Sequence, residues 1–142
     1  MAVKKIIHDQ VFLSQKSTLA SKEDLNTALD LRDTLLANRS KAAGLAANMI
    51  GKPKRIIAFY IGSLPFVMIN PKIIKKNGKY TTEEGCLSLS DQRQAIRYKN
   101  ITVTYQNLNL EEVTQDFSEF IAETIQHEID HCNGILIPEL SN

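Results

Sequence analysis

Cysteine and histidine are scarce in this 142-residue chain, at two and three copies, and neither sign of charge is in excess, since 17 basic and 16 acidic side chains leave +1. The near-balanced charge gives no electrostatic ground for a nucleic-acid partner or a membrane surface. No apolar run approaches the length needed to cross a bilayer. The pair Ile6-Ile7 behind Lys4 and Lys5 is too short for the apolar region of a signal peptide. Two cysteines without an export signal argue against a disulfide framework and for a cytoplasmic chain in which a thiolate can serve as a ligand. Internal repeats, linkers and low-complexity stretches are also absent, so the length fits one domain, 1–142.

What is there is concentrated in His127-Glu128-Ile129-Asp130-His131. A helix brings residues four apart onto one face, so both imidazoles can hold one metal ion while Glu128 lies beside it, free to handle protons. The competing interpretation is two solvated histidines on a helix surface. From about Ser118 to Asn133 the periodicity is helical, with Ile121, Ile125, Ile129 and Cys132 on one face and Phe120, Thr124, His127 and His131 on another. Glu119, Glu123, Gln126 and Asp130 fill the remaining strip, which predicts a central helix, closed by Gly134.

Upstream, Ser21 with Asp24 three residues on predicts a capped helix to about Asn38, with Leu25, Ala28, Leu29, Leu35 and Leu36 as its core stripe. The small-residue stretch Lys41 to Gly51 fits either close approach of a ligand or tight helix-on-sheet packing. Arg55–Ile61 and Pro65–Asn70 predict a hairpin across Gly62-Ser63, with Pro71 ending its second strand. Ile73–Lys76 and Lys79–Thr82 flank Asn77-Gly78 and predict a second, tight hairpin. Ile101–Tyr105 predicts a strand paired with Glu112–Phe117 across Asn107-Leu108-Asn109. The fold expectation is a single small α+β domain. Antiparallel or mixed sheets surround the metal-binding helix, and the N-terminal helix packs outside.

Catalytic sites of this kind use three protein ligands and leave a position for water. Downstream of His131 the sole acidic candidate is Glu139, on a short tether behind Pro138. The third ligand is therefore sought upstream, at Cys86, whose alternative fate is that of a small buried hydrophobe. Cys132 points away from the histidines and reads as core, and His8 as a surface or strand-end residue.

These residues carry a resemblance to the peptide deformylases, which combine Gly-x-Gly-Leu-Ala-Ala-x-Gln, Glu-Gly-Cys-Leu-Ser and a His-Glu-x-x-His helix in this order. The second motif stands intact as Glu84-Gly85-Cys86-Leu87-Ser88 and the third as His127 to His131, preceded by Gln126. The resemblance covers roughly Ile6 to Leu140. It implies removal of the formyl group from the N-terminal methionine of newly made peptides, with one divalent metal, Fe(2+) or else Zn(2+) or Ni(2+), held by Cys86, His127 and His131. It implies that Glu128 takes a proton from water and passes it to the departing amine. It also implies that the Leu87 backbone N–H stabilises the oxyanion. The N-formyl-methionyl peptide is expected to lie extended against Ala43-Gly44, with its methionine side chain in an apolar pocket. Arg93 matches an arginine found after the second motif, or is an exposed solubilising charge.

The first motif departs from the family: it reads Ala42-Ala43-Gly44-Leu45-Ala46-Ala47-Asn48-Met49. Met49 replaces a glutamine whose amide helps hold the oxyanion, and a thioether has no N–H to donate. Loss of one such donor costs ~2.7–4 kcal/mol, which predicts weakened activity. Met49 can also simply fill space, and the Asn48 amide is a substitute donor only if it turns toward the site. With Asn142 as the last residue, the long C-terminal helix that helps bacterial relatives dock on the ribosome is expected to be missing. Three functional expectations follow. The first is a slowed deformylase. The second is a catalytically silent metal-binding paralogue that binds formylated or other N-blocked peptides. The third is a metal-dependent hydrolase of another amide.

Overall fold

The structure, a computed structural model, describes residues 2–85 and 92–135. In chain order it contains α1 (Gln10–Leu13), a 3-10 turn (Lys22–Asp24), α2 (Leu25–Ala37), β1 (Gly44–Ala46), a second 3-10 turn (Ala47–Ile50), β2 (Ile56–Ile61), β3 (Leu64–Glu84), β4 (Arg93–Gln106), β5 (Glu112–Ser118) and α3 (Glu119–Cys132). The five strands form one sheet in sequential order, and every pairing is antiparallel. This is the expected small α+β domain. Among the described residues no helix is long and apolar enough to cross a membrane.

Ser21 and Asp24 form the expected reciprocal cap, with the Asp24 carboxylate accepting the Ser21 N–H at 2.9 Å. The cap opens a 3-10 turn, and α2 begins one residue later, at Leu25. Its core face is Ala28, Leu31 and Leu35, each fully buried, whereas Leu36 is 40% exposed. The spacing of three and then four keeps those three side chains on one stripe, and Leu36 falls outside it.

β2 and β3 join across Gly62-Ser63 as the sequence predicts, with Ile61 opposite Leu64. The second hairpin does not form. β3 instead continues from Leu64 to Glu84 and pairs with β4, Asn77 facing Asn100 and Lys79 facing Tyr98. A turn signal is local, and the long partner strand overrides it by offering each backbone group a cross-strand bond. The Asn77 side chain, expected at the turn, accepts from Asn100 Nδ2 at 2.9 Å across the ladder. Pro71 does not end the strand either. The register slips between Ile69 and Lys72, and Asn70 adopts φ 53°, so the proline sits at an irregularity where its missing N–H costs no ladder bond. β4 and β5 pair across the predicted turn, with Ile101 opposite Phe117.

α3 matches its expected span and lies against the sheet, with Ala122, Ile125 and Cys132 fully buried and Ile129 6% exposed. A fully buried isoleucine such as Ile125 contributes roughly 1.5–3 kcal/mol relative to exposure. Gly134 follows at φ 77°, the left-handed conformation of a helix C-terminus. A Cβ on Gly44 would lie 2.8 Å from Thr124 Cγ2 and 3.1 Å from Glu128 Cγ, so glycine lets β1 run directly beneath the helix. Tight helix-on-sheet packing thus explains this part of the small-residue stretch.

Candidate metal centre

On α3 the His127 and His131 rings lie one turn apart and tilted by 49°, their centroids 5.2 Å from one another. One ligand atom from each, and one from Glu128, all lie within 4.8 Å of each other. All three residues are buried, His131 completely. The solvated-histidine interpretation fails on that burial.

Burying such groups is costly without partners. His127 Nδ1 lies 2.8 Å from Glu84 Oε1, at the end of β3. Glu84 in turn accepts two bonds from Arg97 of β4, at 2.8 Å from Nε and 2.7 Å from Nη2. The remaining arm of Arg97 reaches Asp130 Oδ2 at 2.6 Å. Three elements are thereby tied at one buried cation. Burial opposes ionisation of Glu84, but bonds from His127 and Arg97 and their charges prevail and hold the carboxyl down to about 2. An anion facing Nδ1 fixes that nitrogen as the donor, which leaves the Nε2 lone pair for a metal.

Burial pushes His131 down to about 3, with the charges of His127 and Arg97 acting in the same direction, so the ring is a neutral imidazole at neutral pH. Burial pushes the Glu128 carboxyl up to about 7, against the opposing charge of His127. Among the described residues Glu128 Oε1 has no hydrogen-bond partner. A neutral imidazole at His131, a second ring one turn away at His127 and an unmatched buried carboxyl oxygen fit a single divalent cation with a proton-transfer group beside it. Cys132 is fully buried, and burial pushes its thiol up to about 12, as befits the expected core residue.

Cys86 and Leu87 lie outside the described residues. The strand that leads to them ends at Glu84, in direct contact with His127. A cavity of about 460 Å³ opens beside the helix, lined by residues 41–44, residues 83–85, Phe120, Glu123, Thr124, His127 and Glu128. Gly44 therefore faces the same space as the first histidine. Phe120, which lines it from α3, is 65% exposed.

Met49 is not on that wall. It is buried, and its sulfur accepts the Ala46 N–H at 3.4 Å, so the thioether turns back onto its own segment. Asn48 is no substitute donor, because its Nδ2 is committed to the His131 carbonyl at 3.0 Å. Arg93 opens β4 and is exposed, while Arg97 goes inward. The signal for Arg97 was its inward place in the alternation Ala95, Arg97, Ile101, Val103, since a buried guanidinium requires carboxylate partners. In the sequence Glu84 stands out only as part of the second motif, and Asp130 only as an inner position of the third motif on a polar strip, so their shared bond to Arg97 is not apparent there.

A buried His-Glu-x-x-His helix packed on an antiparallel sheet beside a cleft is an architecture of metallohydrolases. A family model described as polypeptide deformylase matches residues 3–141. A peptide deformylase of Clostridium beijerinckii is 50% identical over 135 residues, which are 95% of this chain and 99% of that protein. One from Pseudothermotoga lettingae is 38% identical, covering 97% of this chain and 82% of its own. The fold also matches a Met-ala-ser bound class I type b peptide deformylase from Acinetobacter baumannii, with a TM-score of 0.85, 28% identity and coverage of 96% and 97% of the two chains. The chain belongs to the polypeptide deformylase family.

Proposed function

We propose that this protein is a metal-dependent hydrolase that removes the N-formyl group from the N-terminal methionine of newly synthesised peptides. The observation that carries the proposal is the geometry at Glu128, a buried carboxyl with one ligand atom within 4.8 Å of those of His127 and His131 and an Oε1 that has no hydrogen-bond partner among the described residues. A general base or acid works best when its pKa lies near the working pH. The ligand set is assigned as Cys86, His127 and His131. These residues would hold one divalent ion, Fe(2+) or alternatively Zn(2+) or Ni(2+), which when bound would supply Lewis acidity and lower the pKa of water.

The chain's own residues do the rest. Glu84 orients His127, and Glu128 accepts a proton from the attacking water and returns it to the leaving amine nitrogen. The peptide lies along β1, where Gly44 presents backbone without a side chain, as an added strand. The Leu87 N–H is assigned to the charge that develops on the formyl oxygen. That a Met-ala-ser bound relative shares the fold supports a peptide in this groove.

Met49 supports weakened turnover, since its sulfur accepts a hydrogen bond and donates none. The same observation favours the second reading, a silent paralogue that binds N-blocked peptides. Formate release from a formyl-Met peptide, with Fe(II), Zn(II) or Ni(II) loaded anaerobically, separates the two. Release above the metal-only blank supports the enzyme. Peptide binding without release, even in Met49→Gln, supports the paralogue.

A further inference from the structure

Asn48 is 1% exposed and lies in the 3-10 turn Ala47–Ile50, among the buried side chains of Leu45, Ala46, Ala47 and Met49. Its Nδ2 donates to the backbone carbonyl of His131, 83 residues away in sequence, at 3.0 Å. That carbonyl does not need the bond, because it already accepts the Gly134 N–H at 3.0 Å in the closing turn of α3. Among the described residues Asn48 Oδ1 has no hydrogen-bond partner. In hydrogen bonding alone an apolar side chain would serve this position better, since a buried acceptor left unmatched is costly. What the amide does supply is a second, lateral restraint on the backbone of the residue that carries the second imidazole.

The two donors approach the His131 carbonyl from different parts of the chain. Gly134 belongs to the helix end, whereas Asn48 belongs to the segment that carries β1 and hence Gly44. The restraint thus refers His131 to the strand that walls the cavity. Metal ligands must be held to within about half an ångström, by partners behind them as well as by their own rotamers.

We propose that Asn48 is a positioning residue that holds His131 in place for metal binding through the bond from its amide to the His131 carbonyl. This rests on His131 being a metal ligand, as read above. The family motif leaves this position open, so the role belongs to this chain's own residue.

Asn48→Leu removes the donor and the unmatched oxygen together and keeps the branching and the number of side-chain heavy atoms, although its methyl groups take more room than the amide. Zn(II) affinity of the full chain is measured by competition with a chromophoric chelator, and ligand geometry by the visible absorption of the Co(II)-substituted protein. The expected result is a Zn(II) dissociation constant raised about tenfold or more and altered Co(II) bands. The urea midpoint of the metal-free protein should be unchanged or higher, which a merely structural asparagine would not produce. Asn48→Ala, which is smaller, reads the same quantities if the leucine variant does not fold. Unchanged Zn(II) affinity and an unchanged Co(II) spectrum in either folded variant overturn the proposal. Retention of full Zn(II) affinity in His131→Ala would instead overturn the ligand assignment beneath it.

Discussion

Glu84 Oε1 and His127 Nδ1, 2.8 Å apart, join the end of β3 to the helix that carries both imidazoles. Arg97 holds the carboxylate with two bonds and Asp130 with a third. The contact makes the ring's orientation a property of the sheet as well as of its own helix. Glu84 precedes Cys86 by two residues in the sequence.

Arg97→Met should leave Glu84 and Asp130 without their cation, both being largely withdrawn from solvent. Removing one partner of a buried pair costs about 3–5 kcal/mol. Urea unfolding is expected to show a loss of that size; a change within experimental error would mean that water satisfies these carboxylates.

Glu84→Gln keeps an oxygen opposite His127 but removes its charge. Zn(II) affinity should fall about 10- to 100-fold, as outer-shell substitutions at histidine ligands typically do. Unchanged affinity would show that the ring is oriented by its helix alone.

Gly44→Ala would press a Cβ to 2.8 Å from Thr124 Cγ2 and 3.1 Å from the Ala58 carbonyl. Overpacking of this kind costs about 1–3 kcal/mol. Thr124→Ser removes the nearest of those atoms, so the double variant should recover part of the loss in a urea titration. Strict additivity would place the strain elsewhere.

Met49→Gln should raise formate release at least about tenfold by supplying an amide donor. The glutamine oxygen can take over the Ala46 N–H that the sulfur now accepts, which leaves its NH₂ free to turn toward the site. A rate equal to that of the unmodified protein would remove position 49 from the account.

Tyr80 donates to Glu123 Oε1 at 3.2 Å, and burial, followed by that carboxylate's charge and hydrogen bond, raises the phenol to about 12. A folded value above the ordinary one means that the folded state holds the proton longer. The stability linked to this group is therefore full below pH 10 and lost as pH rises toward about 12. Ultraviolet titration of the folded protein should lose its last-ionising tyrosine signal in Tyr80→Phe.

The α3 helix and its paired imidazoles were legible because a period of 3.6 and a pair of histidines four apart are local properties of the chain. The capped start of α2 was legible for the same reason, since Ser21 and Asp24 bond within one turn. The course of β3 was not. Asn77-Gly78 carries a strong turn preference, and only the presence of Tyr98 to Asn100 alongside it, far on in sequence, decides against the turn. The network behind His127 was hidden likewise, because Glu84, Arg97 and Asp130 come from three elements that meet only in the fold. Cys86 and Leu87, assigned from motif and resemblance, lie outside the described residues.

Glu128→Gln, compared with the unmodified protein at equal metal content, tests the central claim most directly. The account predicts that the variant still binds one divalent ion per chain, while formate release from a formyl-Met peptide falls at least about 100-fold. Loss of the metal with the substitution, or formate release at an undiminished rate, would contradict it.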